Sequence, residues 1–388
     1  MRSLPEILEG MRRPSNYIPE MEAWRGWAIL LVMLFHYQGI LTSQIGQNFE
    51  SSALWVKWIA AGNTGVTLFF VLSGFLLCAP FIKSILSGQS VDFRDFYLAR
   101  ILRIIPLYYA AVGFSWIITG NSAALQAAFF IPVGFQIFPY SVTWWSLCTE
   151  IQFYLLLPPA MLLMTNKRGQ LIAVTLLAVW LGLRVQHPGW SGTYVTIGNS
   201  IFGRATAFLA GGTLSCVHQT ETGQRLLRSR LFANSIFISA IAALLGLLAY
   251  YGGSGQQNAI MNFPAYHDVE AVLWSLILYS SLGPVAFKWI FANKFAAHLG
   301  TISYSLYLTH VPILFYLLFP IVFSQNKMAL LTSSAHLTEL TIRIAASAVL
   351  CWLVAMLTYR YIETPFLKLK SRLPTRTIKP VITDQDPV

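Results

Sequence analysis

Charge is what this sequence has least of. Charged residues make up 11 % of the 388, and only 15 are acidic; an average soluble domain carries about 25 %. So little charge cannot clothe a water-facing surface, which excludes a soluble globular domain and a solvated disordered chain alike. Cysteine is scarce too. Cys78, Cys148, Cys216 and Cys351 are scattered, at no spacing suited to zinc, haem or a disulfide framework, and read as packing residues. No internal repeat and no soluble domain stand out. The charged leader 1–23 is followed by no small-residue cleavage site, so it does not read as a removable secretion signal.

What is present is apolar: 56 % of the residues are hydrophobic. Stretches long enough to cross a bilayer recur along the chain. Ten are expected, near 24–44, 64–83, 101–119, 146–164, 170–186, 198–217, 232–251, 268–288, 302–323 and 339–361. The apolar piece 123–139 is short and broken by Pro132, Gly134 and Pro139. It reads as a re-entrant or interfacial segment, tolerable where protein buries it or a watery cavity lines it. The fold class is therefore all-α: a polytopic helical membrane protein, with a leader 1–23, a membrane domain 24–366 and a polar tail 367–388.

Loop charges orient it. With the N-terminus inside, 21 of the 26 basic residues fall on one side, against Lys57, Arg184 and Lys327 on the other. That asymmetry predicts ten spans with both termini cytoplasmic. It also accounts for the net charge of +11 without nucleic acid, because the bases are spread over many loops instead of gathered in one patch. Membrane lipids are the expected surroundings, and no sequence feature fixes an oligomeric state.

Within the spans, a few polar residues stand out. Arg25 and His36 bound one apolar stretch, GWAILLVMLF. Eleven helical steps raise the imidazole roughly 16 Å above the guanidinium, near the middle of a hydrocarbon core about 30 Å thick. An ionisable group at that depth marks a functional site, and histidine is suited to moving protons. The alternative is a packing histidine bonded to a neighbouring carbonyl. Arg100 and Arg103 share a helix face, which suits a fork for phosphate oxygens; the alternative is topology, since basic residues flank many spans and also hold lipid headgroups. Glu150 opens the fourth span in WWSLCTEIQFYLLLPP and can meet His36 if the helices are neighbours. A carboxylate there would raise the basicity of the imidazole. Otherwise Glu150 pairs with Arg204 or Arg184, or faces the outer vestibule. Tyr304, Tyr307 and His310 recur at three-residue steps on the ninth span. Gly65 and Gly74 permit close helix approach on the second, where Ser73 can donate into the interior. Arg360 and Glu363 in YRYIETPF are expected to pair at the interface.

These blocks together resemble the acyltransferase-3 family. WRGWAILLVMLFH is similar to its first-helix signature, a basic residue and a histidine separated by ten positions. GVTLFFVLSGFLL resembles the second-helix block, and RDFYLARILRIIPLYY contains the arginine pair, RILR. WWSLCTEIQFYLLLP, ISYSLYLTHVPI and YRYIETP resemble three further blocks, in the expected order, over about residues 20–366. Two positions depart: Ile151 stands where a second acidic residue is usual, and Thr309 where an aromatic is frequent.

The resemblance implies a bacterial inner-membrane enzyme. It would move an acyl group, usually acetyl, from cytoplasmic acyl-CoA to a hydroxyl of a sugar on a surface or exported glycan. His36 would be its catalytic centre and Arg100 and Arg103 its donor ligands. On this reading acetyl-CoA or another acyl-CoA is a donor substrate, no metal is needed, and Arg25 assists the phosphates. Glu150 stabilises the imidazolium, while Ser73, Tyr307, His310 and Arg204 are candidates for substrate contact. Some relatives carry a C-terminal hydrolase-like domain, which is not expected in this sequence. The competing class is a proton-coupled transporter, which His36, Glu150 and Arg204 would also suit.

Overall fold

The structure is a computed structural model that describes residues 18–42, 53–88, 93–187, 197–324 and 334–372. Most of the expected leader and tail lies outside these residues. Ten long helices organise the described chain: α1 (Pro19–Thr42), α2 (Thr64–Ser87), α3 (Phe93–Thr119), α4 (Trp144–Leu163) and α5 (Lys167–Gln186). α6 (Ile201–Gln219), α7 (Arg230–Ser254), α8 (Tyr266–Ser281), α9 (Ser303–Ser324) and α10 (Ser334–Thr358) complete the set. Among the described residues there is no strand.

Among the described residues seven helices are long and apolar enough to cross a membrane. They are α2, α3, α4 with the turn before it, α5, α7, α9, and α10 with its continuation through Leu369. The other three expected spans, α1, α6 and α8, form helices but fall short of that standard. They carry Arg25 and His36, Arg204, and His267 and Glu270, so interior polar groups dilute their apolarity. α8 is also short, at 16 residues. The expected span 268–288 stops at Ser281, where Gly283 and Pro284 break the helix. In the other direction, α3 begins at Phe93 rather than 101, because the lead-in FRDFYLAR is itself helical.

α2 is the hub. It packs most extensively on α6 and also contacts α1, α8 and α4. The α2–α6 crossing is close because both sides are glycine. A Cβ on Gly74 would strike the Phe208 carbonyl, and one on Gly211 would strike the Val71 carbonyl. Gly65 plays the same part against the Ala28 carbonyl of α1. Small residues let backbones approach in the absence of a hydrophobic drive between helices. Buried polar pairs then fix register: Trp274 Nε1 donates to Thr64 Oγ1 at 2.7 Å, and Trp24 Nε1 to Ser281 Oγ at 2.9 Å. α9 packs between α1 and α10. α5 lies almost wholly exposed at the periphery, as expected of a lipid-facing span.

The broken segment is not a spanning helix. Residues Ala123–Ala128 form one short helix, followed by turns and a single 3-10 turn at Tyr140–Thr143. Its backbone is held from below and within. Tyr108 Oη donates to the Ala127 carbonyl at 2.7 Å, Asn121 Nδ2 to the Gln136 carbonyl at 2.6 Å, and Ser141 Oγ to the Gly134 carbonyl at 2.6 Å.

Candidate active site

Two cavities adjoin in the helix bundle. The first, about 120 Å³, is lined by Arg25 of α1, Ser73 of α2, Arg100 and Arg103 of α3, and Glu150 and Tyr154 of α4. The second, about 360 Å³, is lined by His36 of α1, Asn63 and Thr67, Arg204 of α6 and His267 of α8. The segment Pro132–Phe135 and the turn at Val142–Thr143 contribute its remaining wall. Val66 and Tyr307 line both cavities, so the two share a partition.

The first cavity is cationic. The α3 register brings Arg100 and Arg103 to it together, and α1 adds Arg25. Arg25 Nη2 donates to Ser303 Oγ at 3.2 Å and its Nη1 lies 3.6 Å from Glu22 Oε2. The Arg100 guanidinium lies near the Phe96 and Tyr154 rings, 5.9 and 6.0 Å from their centroids, and its buried Nε has no hydrogen-bond partner. Guanidiniums grouped at one cavity suit an oxyanion.

Glu150 belongs to this cavity, and not to His36. Its Oε1 accepts from Ser73 Oγ at 2.8 Å and from Tyr154 Oη at 2.5 Å. The expected His36–Glu150 pairing is therefore a misassignment. The carboxylate lies instead in the cavity that Arg25, Arg100 and Arg103 line. Of the alternative partners, Arg184 Nη1 donates to Asp268 at 2.7 Å instead, and Arg204 lines the other cavity.

His36 meets His310. The His36 Nδ1 to His310 Nε2 distance is 3.0 Å. His36 Nδ1 also lies 2.9 Å from the Val32 carbonyl, and His310 Nδ1 2.8 Å from the Leu306 carbonyl. A carbonyl only accepts, so each Nδ1 carries hydrogen. Two N–H groups cannot face one another at 3.0 Å, so His310 Nε2 presents a lone pair. The network thus leaves His36 Nε2 as a free lone pair on a ring that lines the second cavity. His310 is fully buried. The packing alternative for His36 describes one edge of its ring only, since the other edge lies in a cavity.

The remaining candidates divide. Tyr307 stands in the partition, its hydroxyl 2.6 Å from Ser146 Oγ and donating to the Thr143 carbonyl at 3.2 Å. Ser73 commits its proton to Glu150. Arg204 is 6 % exposed, lies over the Trp145 ring at 5.5 Å, and forms no hydrogen bond or ion pair among the described residues. The Arg360–Glu363 pair is not formed: Glu363 accepts from Ser305 Oγ at 2.5 Å, and Arg360 lies over the Tyr361 ring. Sequence reasoning missed Thr67, His267 and Glu270. The signal for the last two was HDVE at the head of α8, which sets His267 and Glu270 three apart on one face. Among the described residues no His, Cys, Asp or Glu cluster could hold a metal ion.

The bundle and its paired cavities define a polytopic helical membrane protein with a polar interior. A family model for an acyltransferase domain, acyltransferase-3, matches residues 18–360, and the chain belongs to that family. It is 25 % identical over 391 aligned positions to the O-acetyltransferase OatA of Staphylococcus aureus (strain NCTC 8325), covering 93 % of this chain and 59 % of that protein. It is 24 % identical to the peptidoglycan O-acetyltransferase OatA of Listeria monocytogenes, covering 92 % and 57 % respectively. The chain thus spans less than two thirds of the length of these relatives. No solved structure matches it significantly.

Proposed function

We propose that this protein transfers an acyl group, acetyl from acetyl-CoA, to a sugar hydroxyl of a surface or exported glycan. One observation carries the reading: a cavity with three guanidiniums shares its partition with a cavity that presents the free lone pair of His36. The loop-charge asymmetry supports a cytoplasmic opening for the first and an outward-facing position for the second. The names of the OatA relatives support acetyl as the group and a glycan as the acceptor.

In this mechanism the CoA phosphates bind Arg100 and Arg103, with Arg25 beside them, and the thioester reaches the partition at Tyr307. The acceptor hydroxyl sits in the second cavity. His36 Nε2 takes its proton as the oxygen attacks the thioester carbon. The tetrahedral intermediate collapses, the carbon–sulfur bond breaks, and the proton on His36 passes to the departing CoA thiolate. The products are the sugar ester and free CoA. His310 holds His36 in the required tautomer through the Nδ1–H to Nε2 contact and shares the positive charge while it lasts. Glu150 organises Ser73 and Tyr154 and balances the arginines.

The test is transfer by purified protein in nanodiscs, supplied with labelled acetyl-CoA and peptidoglycan or polysaccharide fragments. Label should appear in the glycan and be lost in His36→Ala. Uptake of glycan into sealed vesicles with no acetyl-CoA consumed would favour a transporter instead.

A further inference from the structure

The second cavity holds more than the proposed base. Arg204 enters it from α6 as a buried guanidinium without any hydrogen bond among the described residues, its face against Trp145. The nearby carboxylate does not pair with it. Glu270 Oε2 is taken by Thr67 Oγ1 at 2.7 Å and His267 Nδ1 at 2.9 Å. A buried cation with unused donors is costly unless an acceptor-rich group completes it. Beside it, His267 shows a second vacant position. Its Nδ1–H is held by Glu270, so its buried Nε2 is an acceptor, and that atom has no partner.

An arginine fork and a neighbouring imidazole lone pair are complementary to one chemical pattern: a carboxylate with a hydroxyl close by. The guanidinium receives the planar carboxylate through paired N–H donors, and the imidazole receives the hydroxyl proton. The cavity volume of about 360 Å³ falls within the range of small-ligand sites, about 300–1,000 Å³. A doubly charged phosphate fits less well, because Glu270 lies close enough to act on Arg204 electrostatically. We infer that Arg204 and His267 form a subsite for a carboxylate-bearing sugar of the acceptor, so that the enzyme acts on an acidic glycan. This rests on the reading of the second cavity as the acceptor chamber. Arg204 would anchor the acid group while a different hydroxyl is presented to His36.

Binding of tetragalacturonic acid and of its carboxyl-reduced counterpart, tetragalactose, to the whole protein in nanodiscs tests this by calorimetry. The wild type should bind the acid at least about tenfold more tightly, the effect of one charged hydrogen-bonding contact. Arg204→Gln should bind both equally and weakly, Arg204→Lys should keep part of the preference, and His36→Ala should keep all of it. Equal affinity of the wild type for the two sugars, binding of neither, or an undiminished preference in Arg204→Gln overturns the subsite. The wild-type comparison needs no variant to fold. Acetyl transfer is read separately: a carboxylate preference without His36-dependent transfer retains the subsite and removes the acyltransferase reading. His36-dependent transfer indifferent to the carboxylate does the reverse.

Discussion

His36 Nδ1 and His310 Nε2 lie 3.0 Å apart, the two imidazoles joining α1 to α9 across the wall of the second cavity. The contact fixes which nitrogen of His36 is basic and which way it faces. His36→Ala should lower the acetyl transfer rate by about 10²–10⁴-fold, the usual contribution of a general base. His310→Ala should lower kcat by a smaller factor and leave the KM for acetyl-CoA unchanged, because in the proposed mechanism His310 orients the base without touching the donor. Steady-state kinetics on the two variants check both. A His310→Ala enzyme with raised KM and unchanged kcat would place His310 in binding instead.

Arg100 and Arg103 are expected to act on the donor alone. Each Arg→Ala change should raise the KM for acetyl-CoA about tenfold or more, as expected for loss of a hydrogen bond between charged groups. The KM for the acceptor should stay constant. Initial rates with each substrate varied in turn separate the two.

Glu150 gives a sharper discrimination. Both of its hydrogen bonds go to Oε1, which Gln retains. Glu150→Gln should therefore keep the local geometry while removing one negative charge beside the arginines. Its kcat should stay within about threefold of wild type, and its KM for acetyl-CoA should fall or hold, since attraction between the donor phosphates and the arginines is no longer offset. A partner of the catalytic imidazole would instead cost orders of magnitude in kcat.

Gly74 tests the packing beneath the site. Gly74→Val drives a branched side chain against the Phe208 carbonyl at the α2–α6 crossing. Overpacking of this kind costs about 1–3 kcal/mol. The variant should show a lowered Tm in detergent, whereas Gly113→Val, where a Cβ meets nothing within 4 Å, should not.

The legibility of this protein in its sequence follows a physical division. Depth along a helix is written in residue counts, so the Arg25 to His36 interval and the shared face of Arg100 and Arg103 were readable. Rotation about a helix axis and the identity of its neighbours are set by packing. For that reason Glu150 was matched to the wrong partner, and the His36–His310 pair was not anticipated although both histidines were singled out. Apolar length marked seven spans that the described helices match. It is least informative for α1, α6 and α8, because polar residues that line the cavities interrupt their apolar runs. His267 and Glu270 were not singled out, yet both are buried.

The most direct test of the two-chamber account is a structure of the protein in nanodiscs with a non-hydrolysable acetyl-CoA analogue. The account predicts phosphate density within hydrogen-bonding distance of Arg100 and Arg103, and the acetyl carbonyl at the Tyr307 partition, facing His36 Nε2. An analogue whose acyl end points away from that partition, or which binds outside the arginine-lined cavity, would contradict it.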